Sequence, residues 1–570
     1  MLIHEDLKNN FYKKILESKQ KNVIIISNHD LDALCTTVIL TDLFERDEVM
    51  YSLVVIKDWV ELEAAIQIFK KSSSLFVLIN CGAFRSLFGL STEILGLELY
   101  VFDCQRPVEL SNVYANQVVK VICRTSEINS WNLPTLESIV DMNEESESED
   151  ENDAENRDIT QIALRGIKKR NRTLWEQTRE RLQWEYAVNS YIEYPSAVLM
   201  LQLAHSLGMS SAELSWCACV ALTHYYVEDI ISLQTYTSIC VETMRTFTRL
   251  YAPRTHVKND STLRISFNKE LPIPLYNHWT LHQSVVHDVS FITSCRLWTQ
   301  QGAHKLRETY ATLGIPLNEC NANFHSLTSE RRQEIFRIME NELIGLNTSF
   351  ATFFSHFAFS RQFNSADYAR ITALKMDFDG KENDFKSRYF NSMEFLKKTI
   401  WNHGGNSAET DQSLKQYQKT LENITQLAFD CMRQSLFLNT NTFYALYVPD
   451  VPETELLLTS SHLLNVFMML ALRIFASIRR GFRIKKPLLV SITPRTVTEA
   501  TERYCLVSGL MPLQSYMSDT ERKTLIPRLF AQLHEDPNLE TQFENINPNV
   551  IYVKETNRIA FFDRVEQRLR

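Results

Sequence analysis

The sequence predicts an α/β protein in three parts: an N-terminal parallel-sheet domain, a central all-helical insertion and a smaller C-terminal α/β domain. Three observations carry this. Between residues 22 and 123, short apolar runs alternate with amphipathic stretches of about a dozen residues, the pattern of βαβ units. From about 195 to 425 the periodicity is mostly helical, and after Arg433 strand-like runs return. At 570 residues the chain has room for several domains and a large core.

The N-terminal strands are expected over Asn22–Ser27, Tyr51–Ile56, Leu75–Asn80, Glu98–Phe102 and Val118–Cys123. Helices are expected near Ala33–Arg46, Val60–Lys71 and Arg85–Leu95. In open parallel sheets, ligands sit outside the carboxyl ends of the strands. Here three such ends are polar: "SNHDLD" (Ser27–Asp32), "NCGA" (Asn80–Ala83) and "DCQRP" (Asp103–Pro107). They would meet along one edge of the sheet.

The next segment, Asp141–Asp158, carries ten acidic residues against one arginine. Such like-charge blocks bury too little apolar surface to fold, so a disordered surface loop suited to a basic partner is expected. Ser146 and Ser148 within it suit acidophilic kinases. Asp158 and Gln161 resemble a capping box opening a long basic helix. Its cluster Lys168, Lys169, Arg170 and Arg172 reads either as a nuclear import signal or as a solvated face turned to the acidic loop, and with Arg165 it would also help a groove bind single-stranded DNA.

In the C-terminal part, strands are expected at Thr442–Val448, Pro487–Thr493, Glu502–Leu510 and Val550–Glu555, with helices near Ser461–Arg479 and Asp519–His534. Together these readings divide the chain at 1–140, 141–158, 159–253, 254–425 and 426–570. The most apolar helix, His462–Ile478, contains Asn465 and Arg473 and is short for a bilayer, so a buried core helix is expected and no membrane contact. The N-terminus shows no secretory pattern. A net charge of −9 argues against a protein that coats nucleic acid by bulk charge. Eleven scattered cysteines without a CxxC pair fit reduced thiols rather than a zinc finger.

Paired carboxylates at strand ends suggest a two-metal phosphoesterase, in which two ions clamp the attacking and leaving oxygens. Hard ions need several anionic oxygens. The strand ends offer only Asp30, Asp32 and Asp103, whereas Asn28 and Asn80 are neutral. At four to five ångströms and an effective dielectric of about 20, each lost ion–carboxylate attraction is on the order of 6–8 kcal/mol. Two such losses count against a dinuclear site on charge grounds and leave room for one weakly held ion. Structural roles are equally concrete: Asp32 as N-cap of the following helix, and Asp103 holding the turn at Arg106–Pro107. Phosphate loops and a GxSxG elbow are absent. His278 and His282, four apart on an expected helix, lack the HExxH glutamate. The loop at Lys375–Phe385 has Arg388 where a calcium loop needs glutamate.

"HDLDALCTTVIL", "FVLINCGA" and "FDCQRPV" occur in the order and at the spacing of the first three motifs of the DHH phosphoesterase superfamily, which includes the RecJ exonucleases. Within it the chain resembles the cell division control protein forty-five family of eukaryotic replication factors. "LYNHWTLHQSV", "LWTQQGAHKLRETYATLGIPL" and "FFSHFAFSRQF" extend that resemblance. It implies a DHH-like N-terminal domain and a DHHA1-like C-terminal one. The three first-motif aspartates of active relatives match Asn28, Asp30 and Asp32, and the second-motif aspartate matches Asn80. Asp-His-His matches Asp103, Cys104 and Gln105, and His224 replaces a fourth-motif aspartate. The resemblance thus implies a pseudoenzyme without a cofactor. It would be a nuclear scaffold bridging the MCM ring and GINS in the CMG helicase, with single-stranded DNA and a replicative polymerase as further partners. The alternative is a metal-dependent single-strand exonuclease with a reduced metal site.

Overall fold

The computed structural model describes residues 2–3, 6–17, 22–87, 96–114, 118–139, 159–187, 190–250, 265–342, 352–357, 363–378, 384–401, 407–478, 486–494, 503–511 and 524–570. The acidic segment, with Ser146 and Ser148, lies outside them, as do Asp158 and most of the helix expected at Arg85–Leu95.

Six strands form an all-parallel N-terminal sheet: β1 (Leu2–Ile3), β2 (Val23–Asn28), β3 (Tyr51–Ile56), β4 (Leu75–Ile79), β5 (Glu98–Phe102) and β6 (Val119–Ile122). Their order is β1-β6-β5-β4-β2-β3. The apolar runs are continuous because both faces are covered; all five residues of β4 are buried. From β2 the chain steps outward to β3, then crosses back to β4 on the other side of β2. The topological switch point therefore lies between the carboxyl ends of β2 and β4, where such sheets open a crevice.

One face of the sheet packs on helix Leu31–Arg46, which is itself covered by helices Ser196–Ser206 and Ala212–Val227. Enclosed on nearly all sides, Leu31–Arg46 is apolar around its circumference rather than amphipathic. The other face is covered by helix Trp59–Phe69, capped by Asp58, whose carboxylate accepts from the Glu61 amide at 2.7 Å.

The C-terminal sheet is mixed: β7 (Phe437–Asn439), β8 (Tyr444–Val448), β9 (Leu488–Ile492), β10 (Tyr504–Leu510), β11 (Thr541–Gln542) and β12 (Val550–Lys554), ordered β7-β8-β9-β10-β12-β11. Only β8 and β9 pair in parallel. Helices Ile526–His534 and Arg558–Leu569 close one face around Phe530, Phe561 and Phe562. Helix Ser461–Ile478 closes the other and enters the main core through Leu463, Leu464, Phe467 and Ile474. By length and composition this helix would pass for a membrane span, but half of it is buried within the fold.

Two features of the middle region go beyond the periodicity. An antiparallel ribbon, Ile265–Glu270 against Thr352–Phe357, interrupts the helices. Residues between 271 and 339 build a small core of their own and touch the main core through Leu275, Trp279, Ile292 and Trp298, whereas helices Ser365–Asp377, Phe385–Trp401 and Ser407–Arg433 join the main core outright. Tyr389 reaches the hydroxyls of Ser27 at 2.8 Å and Thr37 at 3.2 Å. Helix Ser407–Arg433 runs unbroken through residue 425, where the sequence suggested a boundary. His278 sits in a turn rather than on a helix; His282 is on helix Leu281–Val286 and packs on Tyr310. All eleven cysteines are free and buried.

Candidate functional site

Strand β2 delivers Asn28 and Asp30 to the switch point. Helix Leu31–Arg46 begins two residues earlier than the sequence suggested, so its N-cap is Asp30, not Asp32. Asp30 Oδ1 accepts from the Ala33 amide at 2.7 Å. Its Oδ2 accepts from Asn28 Nδ2 at 2.8 Å, while Asn28 Oδ1 takes the His29 amide. Asp32, placed inside the first turn, points into the protein and is fully buried.

Four donors surround Asp32. Its Oδ2 accepts from Asn80 Nδ2 at 2.8 Å, the Ser196 amide at 2.8 Å and the Tyr225 hydroxyl at 3.1 Å. Its Oδ1 accepts from the Ala197 amide at 3.0 Å. Ser196 and Ala197 open helix Ser196–Ser206, so unpaired amides and the positive end of a helix dipole face the carboxylate.

Asn80 joins the two aspartates. Its backbone has φ of 52°, a left-handed conformation that asparagine tolerates. The Nδ2 group donates to Asp30 Oδ1 at 3.0 Å and to Asp32 Oδ2 at 2.8 Å. The Ser196 hydroxyl donates to Asn80 Oδ1 at 2.6 Å, which fixes the orientation of the amide. One neutral NH₂ group thus spans two carboxylates.

Asp103 is buried beside this cluster, with Oδ2 accepting from the Ala83 amide and Oδ1 from the Gln105 amide, each at 3.0 Å. It holds the expected turn and also ties the end of β5 to the loop after β4. Cys104 Sγ lies 3.0 Å from the Tyr225 hydroxyl, and Gln105 Nε2 donates to the Ile546 carbonyl at 3.4 Å. His224 stands apart from the aspartates: its Nε2 is 3.5 Å from Glu228 Oε1. Asn28, Asp30, Asn80, Cys104, Gln105 and His224 all line one cleft of about 280 Å³. The basic residues lie elsewhere, on helix Ile159–Ala187, where Arg170 and Arg172 are exposed and Arg172 pairs with Glu176.

Sequence reading missed Tyr225, Ser196 and Ala197. "EYPSAVLM" (Glu193–Met200) did signal a helix start, through a proline before an apolar run. Nothing in it signalled that the exposed amides would face Asp32.

Burial first, then repulsion from Asp32, push the Asp30 carboxyl up to about 8, against the donors of Ala33 and Asn80. Burial also raises Asp32 and Asp103. A carboxyl whose folded pKa exceeds its unfolded one holds its proton more tightly when folded. Its contribution to stability is complete below about pH 4 and is lost as the pH rises through about 8. Urea unfolding is therefore expected to show wild-type stability declining from about pH 5 to 8. Asp30→Asn should flatten that decline. An unchanged slope would remove Asp30 as its source.

The residues do not fit a pair of divalent ions. Asn80 presents protons, not an anionic oxygen, to the space between the carboxylates, and both Asp103 oxygens are occupied by backbone amides.

Residues 23–135 and 133–568 match the CDC45 family model. The Cell division control protein 45 homolog of Homo sapiens is 25% identical over 573 residues, covering 98% of both chains. That of Mus musculus is 27% identical over 583 residues, again covering 98% of each. The crystal structure of CDC45 from Entamoeba histolytica superposes with a TM-score of 0.70 at 14% identity, covering 100% of this chain and 99% of that one. A family match across nearly the entire chain, on the α/β architecture described above, leads to one conclusion: the chain belongs to the CDC45 family.

Proposed function

We propose that the chain is a non-catalytic replication factor of the DHH superfamily. It bridges the MCM ring and GINS in the CMG helicase and acts in the nucleus. Asn28, Asp30, Asp32, Asn80, Asp103, Cys104, Gln105 and His224 are then the remains of a phosphoesterase site. The single observation that carries the loss of catalysis is the Asn80 amide, which donates to both aspartates and offers them no anionic oxygen to share with an ion. Family membership and the motif resemblance support the choice of partners. In this reading the sheet-end cluster survives because its hydrogen bonds tie the loop after β4 and helix Ser196–Ser206 to Asp32.

A second reading, a manganese-dependent exonuclease with a reduced site, draws on the three retained carboxylates. One experiment separates the two. Purified chain is mixed with MCM and GINS and fractionated by size, and in parallel is titrated with manganese on labelled single-stranded DNA. Co-elution of all components without cleavage is the expected result. Failure to co-assemble overturns the scaffold. Manganese-dependent cleavage, abolished by Asp30→Ala with Asp32→Ala, establishes the enzyme instead.

A further inference from the structure

Beside the aspartates, and sharing only His224 with the site the motifs mark, lies a second group of side chains able to ligate a metal. His224, Glu228 and His462 are each buried, and their donor atoms lie within 4.8 Å of one another. His224 and Glu228 are four residues apart at the end of helix Ala212–Val227, so they share one face. His462 comes from the start of helix Ser461–Ile478, which belongs with the C-terminal sheet. We propose that these three side chains bind one zinc ion, which clasps the N-terminal helical layer to the C-terminal domain.

The donor chemistry fits zinc: two imidazoles and a carboxylate form a borderline set that zinc takes with a fourth position left to water. Glu228 Oε1 lies 3.5 Å from His224 Nε2 and 2.7 Å from His462 Nδ1. Donors at about 2.0–2.1 Å from a tetrahedral ion stand roughly 3.3–3.4 Å apart, so an ion would lengthen the shorter contact by about 0.6 Å and hold the two imidazole nitrogens, which lie within 4.8 Å of each other, at a similar separation.

The surrounding groups are those a metal site uses to orient its ligands. Tyr417 Oη lies 3.2 Å from His462 Nε2, which leaves Nδ1 to face Glu228. Asn465 Nδ2 donates to Glu228 Oε2 at 3.2 Å, which leaves Oε1 to face the two imidazoles. Asp377 Oδ2 accepts from the Ser460 hydroxyl at 2.7 Å and steadies the turn into the His462 helix. Among the described residues His224 Nδ1 has no hydrogen-bond partner, so His462 is the imidazole of the pair that is oriented from behind. The three side chains also line the cleft, so a water on the ion has room.

The test uses full-length chain purified without a metal-affinity tag, stripped with chelator and then given zinc or cobalt(II). The expected result is uptake of about one zinc per chain and a rise in melting temperature with zinc. Cobalt should give the intense visible bands of a tetrahedral site. His462→Gln and Glu228→Gln should keep wild-type circular dichroism but lose uptake, spectrum and the zinc-dependent rise. Asp30→Asn alone should keep all three. The proposal is overturned if stripped wild type shows neither uptake nor the cobalt spectrum, since that measurement needs no variant. It is equally overturned if His462→Gln binds zinc as wild type does, or if Asp30→Asn with wild-type circular dichroism abolishes binding. None of these outcomes bears on assembly with MCM and GINS.

Discussion

Asn80→Asp is expected to cost the chelator-treated protein about 3–5 kcal/mol, the range for leaving a buried charge without a partner. The substitution is nearly isosteric, so packing is unchanged. It exchanges a donor at 3.0 Å from Asp30 and 2.8 Å from Asp32 for an anionic oxygen in a site where burial already raises both neighbours. It also removes two hydrogen bonds. Because the added carboxyl is easier to protonate than to ionise there, the deficit should shrink as the pH falls toward about 4. A divalent ion would reverse the sign of the problem. N80D should recover part of its stability in manganese, by a margin the wild type does not show. Denaturant midpoints in chelator and in manganese, at two pH values, check this. Equal stability of variant and wild type in chelator would mean that the amide bridge does not hold the cluster together.

The second large effect is expected at Arg106, which supports the turn carrying Asp103, Cys104 and Gln105. The residue is 2% exposed, and its guanidinium meets Glu127 in a two-pronged pair, with Nε to Oε2 at 3.2 Å and NH2 to Oε1 at 3.0 Å. NH1 also donates to the carbonyls of Asp103 at 2.8 Å and Gln105 at 2.9 Å. Burial alone would weaken its hold on the proton, but Glu127 outweighs that and raises the pKa above the usual value. Arg106→Met should cost about 3–5 kcal/mol, because Glu127 is left buried and uncompensated. Adding Glu127→Gln should recover most of the loss. The amide keeps the acceptor for the Arg124 backbone N–H, at 2.7 Å, while removing the stranded charge. A double-mutant cycle with coupling near zero would show that Arg106 acts through the turn carbonyls instead.

Much of the N-terminal architecture was legible from the chain. Five apolar runs marked β2 to β6 within about a residue, because a strand buried on both faces needs nothing but apolar residues and punctuation. The polar strand ends were legible for the same reason: polar residues directly after such runs have no structural motive in the sheet itself. The short β1, the ribbon at Ile265–Glu270 and the edge strands β7 and β11 were not legible. They are two to six residues long and owe their conformation to the partner they pair with. The cap was misplaced for a similar reason. Asp30 and Asp32 are equally good caps by residue type, and only the start of the helix at Leu31 decides between them.

The neutral amides at Asn28 and Asn80, the Cys104–Gln105 pair after Asp103, and family membership are properties of the sequence. They need no coordinates, because charge and motif order are written residue by residue. Tertiary structure decided how the orphaned carboxylates are satisfied. The amides of Ser196 and Ala197 lie more than 160 positions from Asp32, and the Tyr225 hydroxyl more than 190. It also set His224 beside Glu228 and His462 rather than among the aspartates. No periodicity or spacing rule spans such separations. They are set by which helix face the sheet must bury, and the hydrogen bonds follow from that burial.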